Sequence, residues 1–217
     1  MSTQSIKDIS VLIVDDHPSL RVGVRAMLEK TRDIYVIGEA ESGEDAKTLL
    51  GKLRPNIILL DLKMPGFSPA AFEKWARENY PETITLVLTA HDRDAYLANM
   101  MDAGAVGYLN KEARSGQLIE AIRRAALGES LFDEKQKKRV AKWREEVEKK
   151  WHSLSEREKQ VLRRMADGQG NKAIASGMGI TAKTVDKHVE KIYEKLGVTS
   201  RSKAILWGSE NAGDFPY

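Results

Sequence analysis

SVLIVDDHPSLRVGVRAMLEK, Ser10–Lys30, sets the frame for the first half of the chain. A short run ending in four apolar residues (SVLIV) predicts a strand over Ser10–Val14, two acids follow at once, and apolar residues return at helical spacing over Ser19–Lys30. Working outward, the same alternation repeats. Strands are predicted at Ile34–Glu39 (IYVIGE), Ile57–Leu60 (IILL), Thr83–Thr89 (TITLVLT) and Val106–Leu109 (VGYL), with helices at Glu44–Leu53, Pro69–Glu78, Asp94–Ala103 and Ser115–Leu127. Strands that alternate with helices specify an α/β fold around a parallel sheet. The near-continuous apolar character of the strands implies burial on both faces, hence a doubly wound sheet with helices on each side.

In such a sheet the carboxyl ends of the strands form one edge, and ligands bind where the strand order reverses. Asp15 and Asp16 directly follow the first strand and Asp61 directly follows the third. With strand order 2-1-3-4-5 these strands are neighbours, and the three acids converge. Clustered carboxylates repel one another unless a cation neutralises them, and an oxygen-only site suits Mg2+. Thr89 ends the fourth strand and Lys111 closely follows the fifth, adding a hydroxyl and an ammonium to the same edge, with the small Ala90 leaving room for a donor. Nucleophilic carboxylate, metal, cation and hydroxyl are the parts that phosphoryl transfer needs. Read singly, each is bland: an aspartate at a strand end is ordinarily a turn or cap residue, Thr89 a strand residue and Tyr108 a core aromatic. Their joint placement on one edge carries the reading.

Beyond residue 128 the pattern changes. Asp133–Trp151 contains no Gly or Pro and places Val140, Trp143, Val147 and Trp151 at helical spacing, as either a solvated linker helix or one that pairs with its twin or docks on the first domain. From Leu154 onward the signals are all helical. Ser155 and Glu158 form a capping box ahead of a helix closed by Gly168; a short helix spans Asn171–Ser176; residues 177–180 (GMGI) form a turn; and Thr181 caps a longer helix that ends before Gly197. That is a helix-turn-helix layout. Within its second helix Val185, Val189, Ile192 and Leu196 share a core face. Lys183, Thr184, Lys187 and Lys191 lie on the other side, as candidates for DNA contact or, singly, as solvated surface groups.

Composition narrows the classes further. The 217 residues suffice for two small domains, and the charge is uneven: −2 over residues 1–128, +2 over 129–150 and +3 over 151–217. No cysteine is present, which excludes disulfides and thiolate chemistry, and the four histidines are scattered in sequence, so any metal is expected to be held by oxygen. No apolar run approaches the roughly 20 residues that span a bilayer, and Met1–Ser10 lacks a secretory pattern, so the cytoplasm is the expected location. Neither phosphate-binding glycine motif, GxxxxGK[ST] or GxGxxG, occurs in the required setting, and no ATP site is expected.

Asp15-Asp16, Asp61 in DLKMPG, Thr89-Ala90, Tyr108 and Lys111 stand in an order and spacing that resembles the receiver domain of bacterial two-component response regulators, over residues 9–128. The resemblance implies a flavodoxin-like sheet of order 2-1-3-4-5, with Asp61 accepting a phosphoryl group from a sensor histidine kinase. It implies Mg2+ held by Asp16, Asp61 and the Lys63 backbone carbonyl, with Asp15 acting largely through water. Lys111 and Thr89 would stabilise the phosphoryl group, and Tyr108 would be an inward-turning switch aromatic.

Leu154–Trp207, with LSEREKQVL, Asn171-Lys172, Ile174-Ala175, Lys183-Thr184-Val185, His188 and Lys195-Leu196-Gly197, resembles the four-helix DNA-binding domain of NarL/LuxR (FixJ)-type regulators. There the helix from Thr181 would read the major groove of double-stranded DNA, Asn171 and Lys172 would lie near its backbone, and a last helix over Ser200–Trp207 would carry a dimer contact. Asp186 and Glu190 depart from the family by placing acids where many members carry bases that touch DNA. Read alone, His188 is a helix-packing residue. The resulting expectation is a transcription regulator with a receiver domain (1–128), a charged helical linker (129–152) and a smaller all-α helix-turn-helix domain (153–217). It would form a homodimer when activated, through the Asp94–Leu127 face, the first and fifth helices, the linker helix or the last helix. Its only chemistry would be self-directed phosphoryl transfer and autohydrolysis. A Mg2+-dependent phosphohydrolase and an interaction module without DNA binding are the alternatives from other classes.

Overall fold

In a computed structural model of the chain, residues 8–211 are described; segments 1–7 and 212–217, at the outer ends of the two expected domains, lie outside them. The described residues fall into two compact units that divide between Lys138 and Arg139, inside the segment expected to be a linker. The first unit runs β1 (Ile9–Val14), α1 (Pro18–Leu28), β2 (Ile34–Ala40), α2 (Gly43–Leu53), β3 (Ile57–Leu60), α3 (Pro69–Asn79), β4 (Ile84–Thr89), α4 (Asp94–Ala103), β5 (Gly107–Asn110) and α5 (Ser115–Ala126). Its five strands are parallel, in the expected order β2-β1-β3-β4-β5. Predicted and observed boundaries differ by at most two residues, and those of β3 and α4 coincide.

Register positions the strand ends. β1 and β3 pair with Val14 opposite Leu60, so the next residues, Asp15 and Asp61, emerge side by side. The backbone N–H of Asp61 donates to Val14 O at 2.9 Å and holds that alignment. All four β3 residues are buried, as expected of a strand covered on both faces. The core beneath one face joins Val11, Ile13, Ile57, Leu59, Leu86 and Leu88 of the sheet to Leu28 of α1 and Leu118, Ile122 and Ala125 of α5.

Glu73 departs from that apolar pattern. It lies on α3, fully buried, and neither of its carboxylate oxygens has a well-directed hydrogen bond, the Thr85 hydroxyl being the polar side chain beside it. Burial pushes its carboxyl above the ordinary range, offset only in part by Thr85 and by the charge of Arg77.

The second unit carries the remaining helices: α6 (Glu134–Ser153), which the dividing point interrupts near its start, then α7 (Glu156–Ala166), α8 (Asn171–Met178), α9 (Ala182–Leu196) and α10 (Arg201–Asn211). Val161, Leu162, Met165, Ile174, Val185, Ile192 and Ala204 form its core, and Trp151 and Leu154 join them. Trp151 stacks on Trp207 with centroids 6.4 Å apart, and Arg163 and Lys159 sit over its ring at 5.1 and 5.4 Å. The end of the linker helix thus belongs to the helical core. Residues 177–180 are not all turn: α8 continues through Gly177 and Met178 and stops at Gly179, whose φ of 65° breaks the helix. A Cβ at Gly177 would meet only the mobile end of the Arg164 side chain, at 2.8 Å.

α7 and α9 are tied by one carboxylate. Glu158 Oε2 accepts from Ser155 N and from Lys195 Nζ, both at 2.7 Å, while Ser155 Oγ caps Glu158 N at 3.3 Å. Burial opposes the Glu158 charge, but the Lys195 ammonium and the Ser155 donors outweigh it and hold the carboxyl below its ordinary range.

The two buried glutamates have opposite pH signatures. Because the folded pKa of Glu73 is raised, stability is lost as pH rises through it; Glu73→Met is expected to gain about 1–3 kcal/mol once pH has passed that folded pKa and to flatten that slope in urea titrations. For Glu158, with a depressed folded pKa, stability is lost as pH falls below the ordinary value of 4.5. Glu158→Ala is expected to cost about 2–3 kcal/mol at neutral pH, in the same measurement, and to lose that acid dependence.

Candidate functional site

The acidic edge is organised by one ammonium. Asp15 and Asp61 are only 2% and 3% exposed, and Lys111 Nζ bridges them, at 2.6 Å from Asp15 Oδ2 and 2.9 Å from Asp61 Oδ2. Lys111 reaches them because its backbone N–H donates to Thr89 O at 3.0 Å, which carries the turn after β5 back over the strand tips. Burial works against the Lys111 charge, but its bonds to Asp15 and Asp61 outweigh this and raise its pKa. The second oxygens are oriented by backbone: Asp61 Oδ1 accepts from Leu62 N at 2.8 Å and Asp15 Oδ1 from His17 N at 2.9 Å.

Around this pair opens a pocket of about 620 Å³, lined by Asp16, His17, Asp61, Lys63, Ala90 and Lys111 among others. Ligand atoms of Asp15, Asp16, His17 and Asp61 all lie within 4.8 Å of one another. Asp16 Oδ1 is buried without a well-directed hydrogen bond, although His17 Nδ1 lies 2.8 Å away. An unsatisfied carboxylate oxygen beside two other carboxylates is a donor set that fits a small, hard divalent cation such as Mg2+. His17 was not among the expected site residues; its place directly after Asp16 was the available signal.

Asp15, Asp16, Asp61, Lys63 and Lys111 are thus brought together. Thr89 and Tyr108 lie deeper and face a shared neighbour. Thr89 is buried, its Oγ1 accepting from His91 N at 3.2 Å, and Tyr108 is buried with its hydroxyl donating to the carbonyl of the same His91. His91, at the start of the segment between β4 and α4, also lines the pocket, and sequence reasoning passed over it.

In the second unit, Lys183, Lys187 and Lys191 are exposed on the side of α9 opposite the buried Val185, Val189 and Ile192. Lys172 is exposed at the start of α8, and His188 is half-buried. Thr184 is turned into the helix cap: its hydroxyl lies 2.8 Å from that of Thr181, and its N–H donates to the Thr181 hydroxyl at 3.2 Å. Asn171 is occupied within the protein. Its Nδ2 donates to Asp186 Oδ1 and its Oδ1 accepts from Arg201 Nη1, both at 2.7 Å.

Two families match. Residues 11–123 match the response regulator receiver domain, and residues 152–207 match the bacterial regulatory proteins of the luxR family. The transcriptional regulatory protein DegU of Brevibacillus brevis is 32% identical, over 94% of each chain. The response regulator protein VraR of Staphylococcus epidermidis is 33% identical, over 94% of this chain and 97% of its own. Among solved structures, RcsB from Salmonella enterica serovar Typhimurium, bound to a promoter in the presence of the phosphomimetic BeF3−, superposes with a TM-score of 0.68 at 27% identity. That match covers 94% of this chain and 99% of RcsB.

The Lys111 bridge has a measurable consequence. Lys111→Met leaves two buried carboxylates facing each other uncompensated, and is expected to cost about 3 kcal/mol in urea titrations without divalent ions. Millimolar Mg2+ should stabilise this variant more than it stabilises the wild type.

Proposed function

This chain belongs to the response regulators that join a receiver domain to a LuxR-type DNA-binding domain, and on that premise we propose that Asp61 is its phosphoacceptor. The observation that carries the proposal is the Lys111 ammonium held between Asp15 and Asp61 at the mouth of the pocket. A carboxylate oxygen of Asp61 attacks the phosphorus of a phosphohistidine on a sensor histidine kinase. The new O–P bond forms as the N–P bond breaks, and the imidazole leaves carrying the electron pair. Asp15, Asp16, Asp61 and the backbone carbonyl of Lys63 would hold Mg2+, which when bound supplies positive charge against the phosphoryl oxygens. Lys111 transfers its hydrogen bonds from the carboxylates to the phosphoryl group, keeping its charge throughout.

Thr89 is the reader of this event. Its hydroxyl gives up the His91 N–H to donate to the phosphoryl group, which draws on the same segment that Tyr108 grips through the His91 carbonyl. A local bond exchange is thereby coupled to the face of α4, β5 and α5, biasing a two-state equilibrium. Water attack on the acyl phosphate returns the resting state, so the chain's chemistry is self-directed and involves no turnover of a separate substrate.

The output is transcription control through double-stranded DNA. Lys183, Lys187 and Lys191, with Thr184, present the groove-facing side of α9, and Asn171 and Lys172 flank it at the start of α8. Activation favours a homodimer, whose two half-sites raise affinity through effective concentration. The functional division is a receiver over 1–128, a helical linker over 129–152 and the DNA-binding domain over 153–217. Among the described residues no helix is long and apolar enough to cross a membrane, and the cytoplasm is the proposed location.

The reading is tested by treating the wild type and Asp61→Asn with a small-molecule phosphodonor and Mg2+ and following mass and oligomeric state. The wild type is expected to gain a single phosphoryl group and shift toward dimer, while the variant does neither. Equal labelling of both would move the acceptor elsewhere.

A further inference from the structure

Asp186 lies on α9 one helical turn from Lys183 and beside Lys187. On charge alone it should repel a phosphate backbone, and its removal should tighten DNA binding. Its contacts argue the opposite. Asp186 Oδ1 accepts from Asn171 Nδ2, Asn171 Oδ1 accepts from Arg201 Nη1, and Arg201 Nη2 donates to Gln169 O, each at 2.7 Å.

A carboxylate accepts only and a guanidinium donates only, so the Asn171 amide between them has a single orientation that satisfies both: nitrogen toward Asp186, oxygen toward Arg201. The amide joins an anion on α9 to a cation at the start of α10, so the acid is paired within the fold. The same relay fastens the first residue of α8 to the second turn of α9 and to the segment before α8. One N–H of Asn171 is left over, and Asp186 sets its direction.

We propose that Asp186 is a positioning residue for DNA binding, acting through Asn171 to fix the start of α8 against α9. The inference rests on the reading of α9 and the start of α8 as the DNA-facing elements. It makes Asp186 a contributor to affinity where its charge suggests an obstacle.

The test uses the full chain and a duplex recovered from a random pool by the wild-type protein, with a random-sequence duplex as control. Asp186→Ala is expected to weaken binding to the selected duplex roughly tenfold, as the loss of one positioned contact would. Asp186→Asn keeps an oxygen acceptor for Asn171 Nδ2 and is expected to bind at least as well as the wild type. In an Asn171→Ala background the Asp186→Ala change should add nothing, because its effect passes through the amide. Thermal melts of each variant separate lost binding from lost folding, since a general structural role would not be rescued by Asn and absent in the Asn171→Ala background. Binding by Asp186→Ala as tight as or tighter than wild type overturns the inference, as does an Asp186→Asn variant as weak as Asp186→Ala. If the wild type retains no duplex, the DNA-binding reading fails before the role of Asp186 is reached, and both are overturned.

Discussion

Lys111 sits where two nearly inaccessible carboxylates would otherwise repel each other, and the arrangement of the first unit follows from making that meeting possible. Parallel pairing of β1 with β3 delivers Asp15 and Asp61 to adjacent strand tips, and the turn after β5 brings the ammonium across from the far side of β4. Buried charges persist in a fold only when paired and hydrogen-bonded. Here the second oxygen of each acid is oriented by a backbone N–H, so both carboxylates are fixed in direction while Lys111 offsets part of their charge. One ammonium offsets only part of the charge of the clustered acids, and the remainder is what a divalent cation would neutralise.

The segment between β4 and α4 stands one step removed from that pair. Thr89 takes the N–H of His91 and Tyr108 takes its carbonyl, so two buried polar groups from neighbouring strands hold the same residue from opposite sides of its backbone. A change in the partner of one hydroxyl is felt by a residue the other also grips. Coupling of this kind requires discrete hydrogen bonds in a packed setting, because packed elements switch between arrangements and do not deform smoothly.

Polar residues in the helical unit likewise act by tying elements together. Glu158 closes the α7 cap and reaches Lys195 of α9, while Asp186 and Arg201 share Asn171. Charges that look like surface decoration or direct DNA contacts in a linear reading are partly committed to holding the helices in register. The exposed Lys172, Lys183, Lys187 and Lys191 are among the groups whose charge faces outward.

The sequence alone determined the fold class, because the periodicity of apolar residues reports which faces are buried and alternating strands and helices admit few topologies; the strand order came from the resemblance carried by Asp15-Asp16, Asp61, Thr89 and Lys111. It also located the strand-end acids, Thr89 and Lys111, since a parallel sheet puts every such position on one edge. What it left undecided depends on side chains meeting across elements: that Asn171 is spoken for by Asp186 and Arg201, that His17 stands over the acids, and that Glu73 is fully buried on α3. A linear pattern records the environment of each residue averaged over its own helix or strand. Only the tertiary structure decides which donor meets which acceptor, because those pairings join residues that the chain itself holds far apart.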